Sequence, residues 1–272
     1  MPKKIVVTME GKNRFAARLS HAANSCLVDK RYYTPSPADD WRAGRIQREN
    51  TEREETYVQA VLTICEKEKI DTIFPSFDPH VYVFSKNKKP FERMGILIPV
   101  PDYETVITPL DKYRTIRAAE EVGFPCPKTY LPESEDDLKR ISEELGFPLV
   151  VKPRFTAGTQ GTTVVSDFKE LWEKTSLVRK SRSMPMIQEY IPRKRGQTFN
   201  LVLDKNGDLK AAFCPKTRRK VFRIQGQFIT VRESSPPHAY VDRAAMLARK
   251  IGWWGGITVQ TKIDPRTASL GC

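Results

Sequence analysis

The chain has 272 residues and a mass of 31.2 kDa, enough for two domains, and its 39% hydrophobic residues exclude a low-complexity or largely disordered protein. No stretch approaches the ~18 consecutive apolar residues of a membrane span, and the start is too short and polar for a signal peptide. We therefore expect a soluble, cytoplasmic protein with no membrane partner. The formal net charge is +13, and most of the excess lies after residue 185, where 16 basic residues accompany 6 acidic ones. Such an excess favours a polyanionic partner, although a solvated basic surface explains it equally well.

Residues 1–108 alternate short apolar runs with helical patterns, which is typical of a parallel sheet built from β-α-β units. The predicted strands are residues 5–8, 25–29, 71–75 and 95–100, and the predicted helices are residues 13–22 and 52–69. Thr51 and Glu54 have the spacing of a capping box at the start of the second helix. No Gly-x-Gly-x-x-Gly motif follows the first strand, so a bound NAD is not expected.

A domain boundary is predicted at residues 107–109. Thr108 is expected to cap the next helix, with Asp111 at its third position, and the helix is expected to stop at Gly123. Later elements are a helix between Ser134 and Gly146, strands at 147–154 and 162–165, a helix at 167–178, a strand at 186–191, a hairpin at 201–209, a helix at 239–251 and a strand at 257–263.

A loop at residues 155–162 joins two of these strands and carries Gly158 and Gly161, with Lys152 at the end of the first strand. A glycine-rich loop can place backbone amides over phosphate oxygens, and a nearby lysine supplies positive charge. Taken alone, such a loop is more often an ordinary hairpin. The phosphate interpretation gains weight because the loop lies between Lys112, on a predicted helix, and the strand that follows residue 185.

Four motifs stand in a defined order: Asp111-Lys112 at a helix start, residues 147–153 around Lys152, the Gly158/Gly161 loop, and Ile187-Gln188-Glu189-Tyr190-Ile191. In this order they resemble the ATP-grasp superfamily, most closely its carbamoyl-phosphate-synthase-like and biotin-carboxylase-like members. The resemblance implies an α/β preATP-grasp domain of Rossmann type at residues 1–108. It also implies an incomplete α+β ATP-grasp fold, with an N-terminal lobe at 109–185 and a C-terminal lobe at 186–272.

In that superfamily the two lobes clamp ATP, and the γ-phosphate passes to a carboxylate to give an acylphosphate, which an amine or similar nucleophile attacks. The resemblance assigns ATP contacts to Lys112, Lys152, Thr156, Gly158, Thr159, Gly161, Thr162, Gln188, Glu189, Tyr190, Ile191 and Gln197. Both lysines would bind phosphates, the loop would close over them, and Glu189 would accept from the adenine amino group. Lys216 and Arg218 are the candidate catalytic cations, because positive donors stabilise the charge that develops in phosphoryl transfer, and a solvated basic hairpin explains this run equally well.

Two positions depart from the superfamily pattern. Gln197 stands where a glutamate usually binds the ribose, so the contact there lacks charge assistance. Gln260 matches the first ligand of Mg2+, but the strand with the Glu-x-Asn ligands would begin where the printed sequence ends. One amide oxygen holds magnesium poorly, since this ion prefers a ligand set that includes carboxylates.

Three functions therefore remain open. The first is an ATP-dependent ligase whose partners are ATP, a small carboxylate and a nucleophile. The second is a non-catalytic nucleotide-binding module that another polypeptide completes. The candidate protein partners are such a completing polypeptide or further copies of the chain in a homo-oligomer. A nucleic-acid binder is least expected, because the sequence has no helix-turn-helix, zinc or RNP-type motif. Asp78 and His80 follow a predicted strand and are weak candidates for substrate contacts, with an Asp-Pro turn as the alternative.

Overall fold

The computed structural model describes residues 4–10, 25–37, 51–109, 111–155, 161–181, 185–192, 196–224, 227–235, 239–264, 266 and 270–271. The chain divides into two compact units, Met1–Tyr103 and Glu104–Cys272. Both units contain helices and strands, in agreement with the predicted mixed fold class. No helix in the described ranges combines the length and the apolar character needed to cross a membrane.

The described residues of the first unit form a parallel pair of strands and three helices. The strands are β1 (Val6–Glu10) and β2 (Lys30–Thr34), and the helices are α1 (Thr51–Glu68), α2 (Asp78–Lys86) and α3 (Lys88–Arg93). Its core packs one face of α1 against α2, α3 and the segment before residue 101 through Tyr57, Val58, Val61, Cys65, Val83, Phe84, Phe91, Ile96, Ile98 and Val100. The parallel pairing of β1 and β2 confirms that the strands of this unit pair in parallel, as predicted.

Three predictions for this unit were wrong in detail. The strand expected at 25–29 begins only at Lys30, because the Ser25 hydroxyl accepts from the Leu27 amide and an Asp29 carboxylate oxygen accepts from the Ile5 amide. The bond between Ser25 and Leu27 is local and favours a turn over a strand at these residues. The strands expected at 71–75 and 95–100 reduce to one parallel bridge between Thr72 and Leu97. The helix expected at 13–22 lies outside the described residues.

Glu68 anchors the end of α1 to the strands. Its buried carboxylate accepts hydrogen bonds from Lys4 and Tyr32, and also from Lys30 over 2.9 Å. The bonds from Lys4, Tyr32 and Lys30 lower the pKa of Glu68 to about 2. The helix stops directly afterwards, where Lys69 adopts a φ of 52°.

The second unit begins with a four-stranded antiparallel sheet and its helices. These elements are α4 (Tyr103–Ile107), which starts at the last residue of the first unit, α5 (Lys112–Glu121), β3 (Thr129–Tyr130), α6 (Glu135–Leu145), β4 (Leu149–Pro153), β5 (Thr163–Val165), α7 (Phe168–Ser181) and β6 (Pro185–Glu189). The strand order is β3-β6-β4-β5. Residues of α6 and α7 cover one face of this sheet and bury Leu138, Ile141, Leu149, Val151, Val165, Leu171 and Ile187.

The predicted cap of α5 was wrong. Thr108 does not begin this helix, because it directly follows the short helix α4 and its hydroxyl donates to the carbonyl of Glu104 within α4. Asp111 is the N-cap instead, and its side chain accepts from the amides of Tyr113 and Arg114. Asp111 therefore stands just before the helix and not at its third position.

A second four-stranded sheet completes the unit, with strand order β10-β7-β8-β9. Its elements are β7 (Thr198–Leu203), β8 (Leu209–Ile224), β9 (Gln227–Ser235), α8 (Val241–Lys250) and β10 (Gly255–Gln260), followed by a small pair, β11 (Lys262–Ile263) and β12 (Leu270–Gly271). The predicted hairpin is confirmed: Asp204 accepts from the amides of Asn206 and Asp208, and Gly207 takes a φ of 80°. Helix α8 packs against β7 and against α5.

Candidate functional site

Lys152 lies on β4, and its ammonium is held by a row of polar groups that crosses three strands. Its Nζ donates to Gln188 Oε1 on β6 over 2.6 Å, and Gln188 Nε2 donates to Thr129 Oγ1 on β3 over 2.8 Å. The Thr129 hydroxyl then donates to the Pro127 carbonyl over 2.8 Å. Gln188 is only 4% exposed, so its amide orientation is fixed by these partners. This row holds a cation on β4, an inner strand of the sheet β3-β6-β4-β5.

Lys112 comes close to the same strand through its backbone. It is the first residue of α5, and its amide donates to the Arg154 carbonyl over 3.2 Å, one residue beyond the end of β4. The N-terminus of α5 therefore lies against the C-terminal end of β4, the strand that carries Lys152. The two predicted phosphate lysines belong to segments that are joined by a hydrogen bond.

An ion pair that the sequence reading did not identify joins these segments. Arg154 donates to Asp111 in bidentate fashion, with Nε 2.8 Å from Oδ1 and Nη2 2.6 Å from Oδ2. Asp111 is 3% exposed. Burial opposes its ionisation, but the bonds from Arg154 and from the amides of Arg114 and Tyr113 hold the pKa of Asp111 below its ordinary value.

The carboxylate of Glu189 already has two donors. Its Oε1 accepts from Arg266 Nη2 over 2.6 Å, and its Oε2 accepts from the Lys128 amide over 3.2 Å. Each carboxylate oxygen can accept more than one hydrogen bond, so an additional donor is chemically possible. The contact of Glu189 with a base, like those of Tyr190 and Ile191 after the strand, stays a prediction.

The sequence did not predict a role for Arg266 either. This residue links the sheet β3-β6-β4-β5 to the segment after β11. Asp264 accepts from its Nε over 3.0 Å and from its Nη2 over 2.6 Å. These hydrogen bonds lower the pKa of Asp264. Glu189 and Arg266 are 77 positions apart, and this separation left no local signal in the sequence.

Gln197 and Gln260 lie at neighbouring positions where β7 begins and β10 ends. The Gln197 carbonyl accepts from the Thr261 amide over 2.9 Å and from the Thr261 hydroxyl over 3.0 Å. Gln260 stands opposite Thr198 in the strand register, and its side chain is exposed. Gln197 and Gln260 therefore lie at adjacent positions of the strand register, and their contacts with ribose and metal stay predictions.

These residues do not fit a magnesium site. The described part of the chain contains no group of three His, Cys, Asp or Glu side chains that could hold a metal ion. Gln260 has one amide oxygen, and the residue opposite it, Thr198, has only a hydroxyl. Magnesium is usually held through one or two carboxylates in a near-octahedral set of oxygens. We therefore assign no chemical step to a metal.

Residues 156–160 of the glycine-rich loop, which include Thr156, Gly158 and Thr159, lie outside the described residues. Gly161 and Thr162 are described, and Gly161 has a φ of 70°. A Cβ at Gly161 would lie 2.7 Å from Pro153 Cγ, so the loop returns to β4 where only glycine fits.

The two candidate catalytic cations lie in β8. Lys216 is exposed and stands opposite Glu233 of β9. The backbone of Arg218 belongs to the same strand, while its side chain lies outside the described part of the molecule. Their catalytic role stays a prediction.

Comparison with known families gives two matches. Residues 111–270 match the family model "Carbamoyl-phosphate synthase L chain, ATP binding domain", which covers more than half of the chain. Residues 49–99 match the model "PylC-like, N-terminal domain". The first match contains the two lysines, Glu189 and Gln260.

Individual proteins give a consistent result. The formate-dependent phosphoribosylglycinamide formyltransferase of Bacteroides fragilis is 31% identical over 158 residues, which are 56% of this chain and 39% of that protein. The carbamoyl phosphate synthase large chain of Halomonas eurihalina is 26% identical over 229 residues, 78% of this chain and 21% of that protein. The chain therefore spans less than half the length of either relative.

Among solved structures, a complex described as biotin carboxylase-beta-gamma-ATP from Campylobacter jejuni has a TM-score of 0.65. It is 17% identical, and the match covers 99% of this chain and 58% of that chain. At this identity the likeness concerns the fold.

Proposed function

Because the chain belongs to the family of carbamoyl-phosphate synthase L chain ATP-binding domains, an ATP-grasp family, we propose that it binds ATP and activates a carboxylate as an acylphosphate. A carboxylate oxygen of the substrate attacks the γ-phosphorus, the bond to the β,γ-bridging oxygen breaks, and ADP leaves. An amine or similar nucleophile then attacks the acyl carbon, and inorganic phosphate leaves.

The observation that carries this proposal is the polar row Lys152–Gln188–Thr129. The buried amide of Gln188, whose nitrogen already donates to Thr129, holds the Lys152 ammonium on β4. This strand pairs with β6, which ends at Glu189. A fixed cation stabilises the negative charge that spreads over the phosphoryl oxygens during transfer, and it needs little reorganisation to do so. Lys112 adds a second cation from the neighbouring helix start.

The remaining roles follow the same proposal. Glu189 accepts from the adenine amino group, and the backbone of Tyr190 and Ile191 binds the ring edge. Gln197 binds the ribose. Lys216 and Arg218 serve the γ-phosphate or the acyl substrate from the second sheet. Residues 1–108, 109–185 and 186–272 act as the preATP-grasp domain and the two ATP-grasp lobes.

Trapping of the intermediate tests the proposal. The purified chain is incubated with ATP, magnesium, hydroxylamine and formate or D-alanine, and both ADP and hydroxamate are measured. We expect carboxylate-dependent ADP release with matching hydroxamate, abolished in Lys152→Ala and retained in Lys169→Ala, a control on the exposed surface of α7. ATP binding without hydroxamate for any carboxylate would instead favour the nucleotide-binding module.

A further inference from the structure

Arg154 stands at a position where an arginine would ordinarily be expected to bind a phosphate group. It follows Lys152 by two residues and immediately precedes the residues that lead into the glycine-rich loop. Its guanidinium nevertheless lies against Asp111, with both ends of the fork bonded to that carboxylate over 2.8 and 2.6 Å. The side chain is 26% exposed, while the Asp111 side chain is 4% exposed. The positive charge of Arg154 is therefore paired with the negative charge of Asp111 within the protein.

The pair fixes two segments against each other. Asp111 is the N-cap of α5, so its position sets the start of the helix and the place of Lys112. Arg154 follows β4, so its position depends on the strand that carries Lys152. The backbone bond from the Lys112 amide to the Arg154 carbonyl, 3.2 Å long, runs beside the ion pair. The ion pair and the backbone hydrogen bond therefore both join the start of α5 to the end of β4.

We propose that Arg154 is a positioning residue that sets the spacing of Lys112 and Lys152 through its bidentate pair with Asp111, and thereby gives the site its affinity for nucleoside triphosphates. The inference rests on the proposed function and extends it to a residue with no direct contact to the nucleotide. Two cations bind a polyphosphate well only at a separation that suits its oxygens, because fixed geometry avoids the free-energy cost of ordering them. A nucleoside monophosphate, which presents one phosphate, depends less on that separation.

The geometry also speaks against direct phosphate binding by Arg154. The two guanidinium nitrogens bonded to Asp111 could turn to a ligand only by breaking both bonds, and this carboxylate, 3% exposed, would then keep the longer pair with Arg114 over 3.5 Å. The rings of Phe155 and Tyr113, whose centroids lie 5.2 and 5.9 Å from the guanidinium carbon, further enclose the side chain.

The test compares a triphosphate with a monophosphate. Binding of AMPPNP and of AMP to the full chain is measured by calorimetry for the parent, Arg154→Met, Asp111→Asn and the double variant. Asparagine is also a good N-cap, so Asp111→Asn removes the ion pair and retains the cap of α5. Arg114→Met is the matched control, since Arg114 also pairs with Asp111 but over 3.5 Å and with a side chain 64% exposed.

We expect each single variant to weaken AMPPNP binding by about tenfold or more and AMP binding by less than about twofold. The double variant is expected to bind no worse than either single one, because both remove the same connection. Arg114→Met binds both nucleotides like the parent. Retained AMP binding in a variant also demonstrates that it is folded. Should Arg154→Met fail to fold, Arg154→Lys, which keeps the charge but not the fork, is expected to lie between parent and Asp111→Asn in AMPPNP affinity.

Three other outcomes separate the possibilities. If Asp111→Asn binds AMPPNP as tightly as the parent, or more tightly, while Arg154→Met loses it, Arg154 is itself a phosphate ligand and the inference is overturned. If the parent binds AMPPNP and all variants bind it equally, the inference fails while the proposed function stands. If the parent binds neither nucleotide, the proposed function fails and this inference falls with it.

Discussion

Replacing Gly196 by alanine is expected to disturb the junction at which β7 and β10 meet. A Cβ at Gly196 would lie 2.4 Å from the Thr261 carbonyl oxygen, which belongs to the backbone and cannot rotate away. The two segments must therefore separate by close to an ångström. Such a shift strains the bonds from the Thr261 amide and hydroxyl to the Gln197 carbonyl, which are 2.9 and 3.0 Å long.

Overpacking of this kind costs about 1–3 kcal/mol in the free energy of unfolding. Gly256→Ala is the matched control, because a Cβ there meets nothing within 4 Å. That variant should stay within about 0.5 kcal/mol of the parent. Urea unfolding followed by tryptophan fluorescence measures both, since Trp172, Trp253 and Trp254 belong to the second unit. Equal stability of Gly196→Ala and Gly256→Ala would refute the close approach at Thr261.

Three further predictions concern the core and two charged groups. Leu149→Ala, at the fully buried start of β4, should lower the free energy of unfolding by about 2–5 kcal/mol in urea titrations, whereas Val164→Ala, 47% exposed on β5, should change it little. The lowered pKa of Glu68 adds stability above its ordinary value of 4.5, and this stability is lost as pH falls towards about 2, so Glu68→Gln should flatten the acid side of thermal melts recorded against pH. Arg266→Met should cost less than about 1 kcal/mol in the same urea assay, because the Arg266 side chain is 50% exposed; a larger loss would mean that the link to Glu189 is a main support of the fold.

Local chemistry explains which elements were predictable. Asn206-Gly207 between two apolar runs predicted the β7–β8 hairpin, and Gly123 predicted the end of α5, because turn and cap preferences act over a few residues. The start of α5 was misassigned since both Thr108 and Asp111 are good caps. Only the structure shows that Thr108 belongs to the end of α4.

The candidate site was predictable only in its motif residues. Lys112, Lys152 and Glu189 each lie in a recognisable sequence motif. Their supports come from pairs distant in sequence: Arg154 reaches Asp111 across 43 positions, and Arg266 reaches Glu189 across 77. Such contacts depend on how strands and helices pack, and neither hydrophobic periodicity nor turn chemistry records them.

Calorimetric titration of the full chain with AMPPNP, with and without magnesium, tests the central claim most directly, with Lys152→Ala and the control Lys169→Ala measured in parallel. The account predicts that the parent and Lys169→Ala bind alike and that Lys152→Ala binds at least about tenfold more weakly, a difference of about 1.4 kcal/mol. Magnesium should strengthen binding only slightly, because the described residues around Gln260 do not fit a metal site. Absence of AMPPNP binding by the parent, or equal binding by Lys152→Ala, would contradict the account.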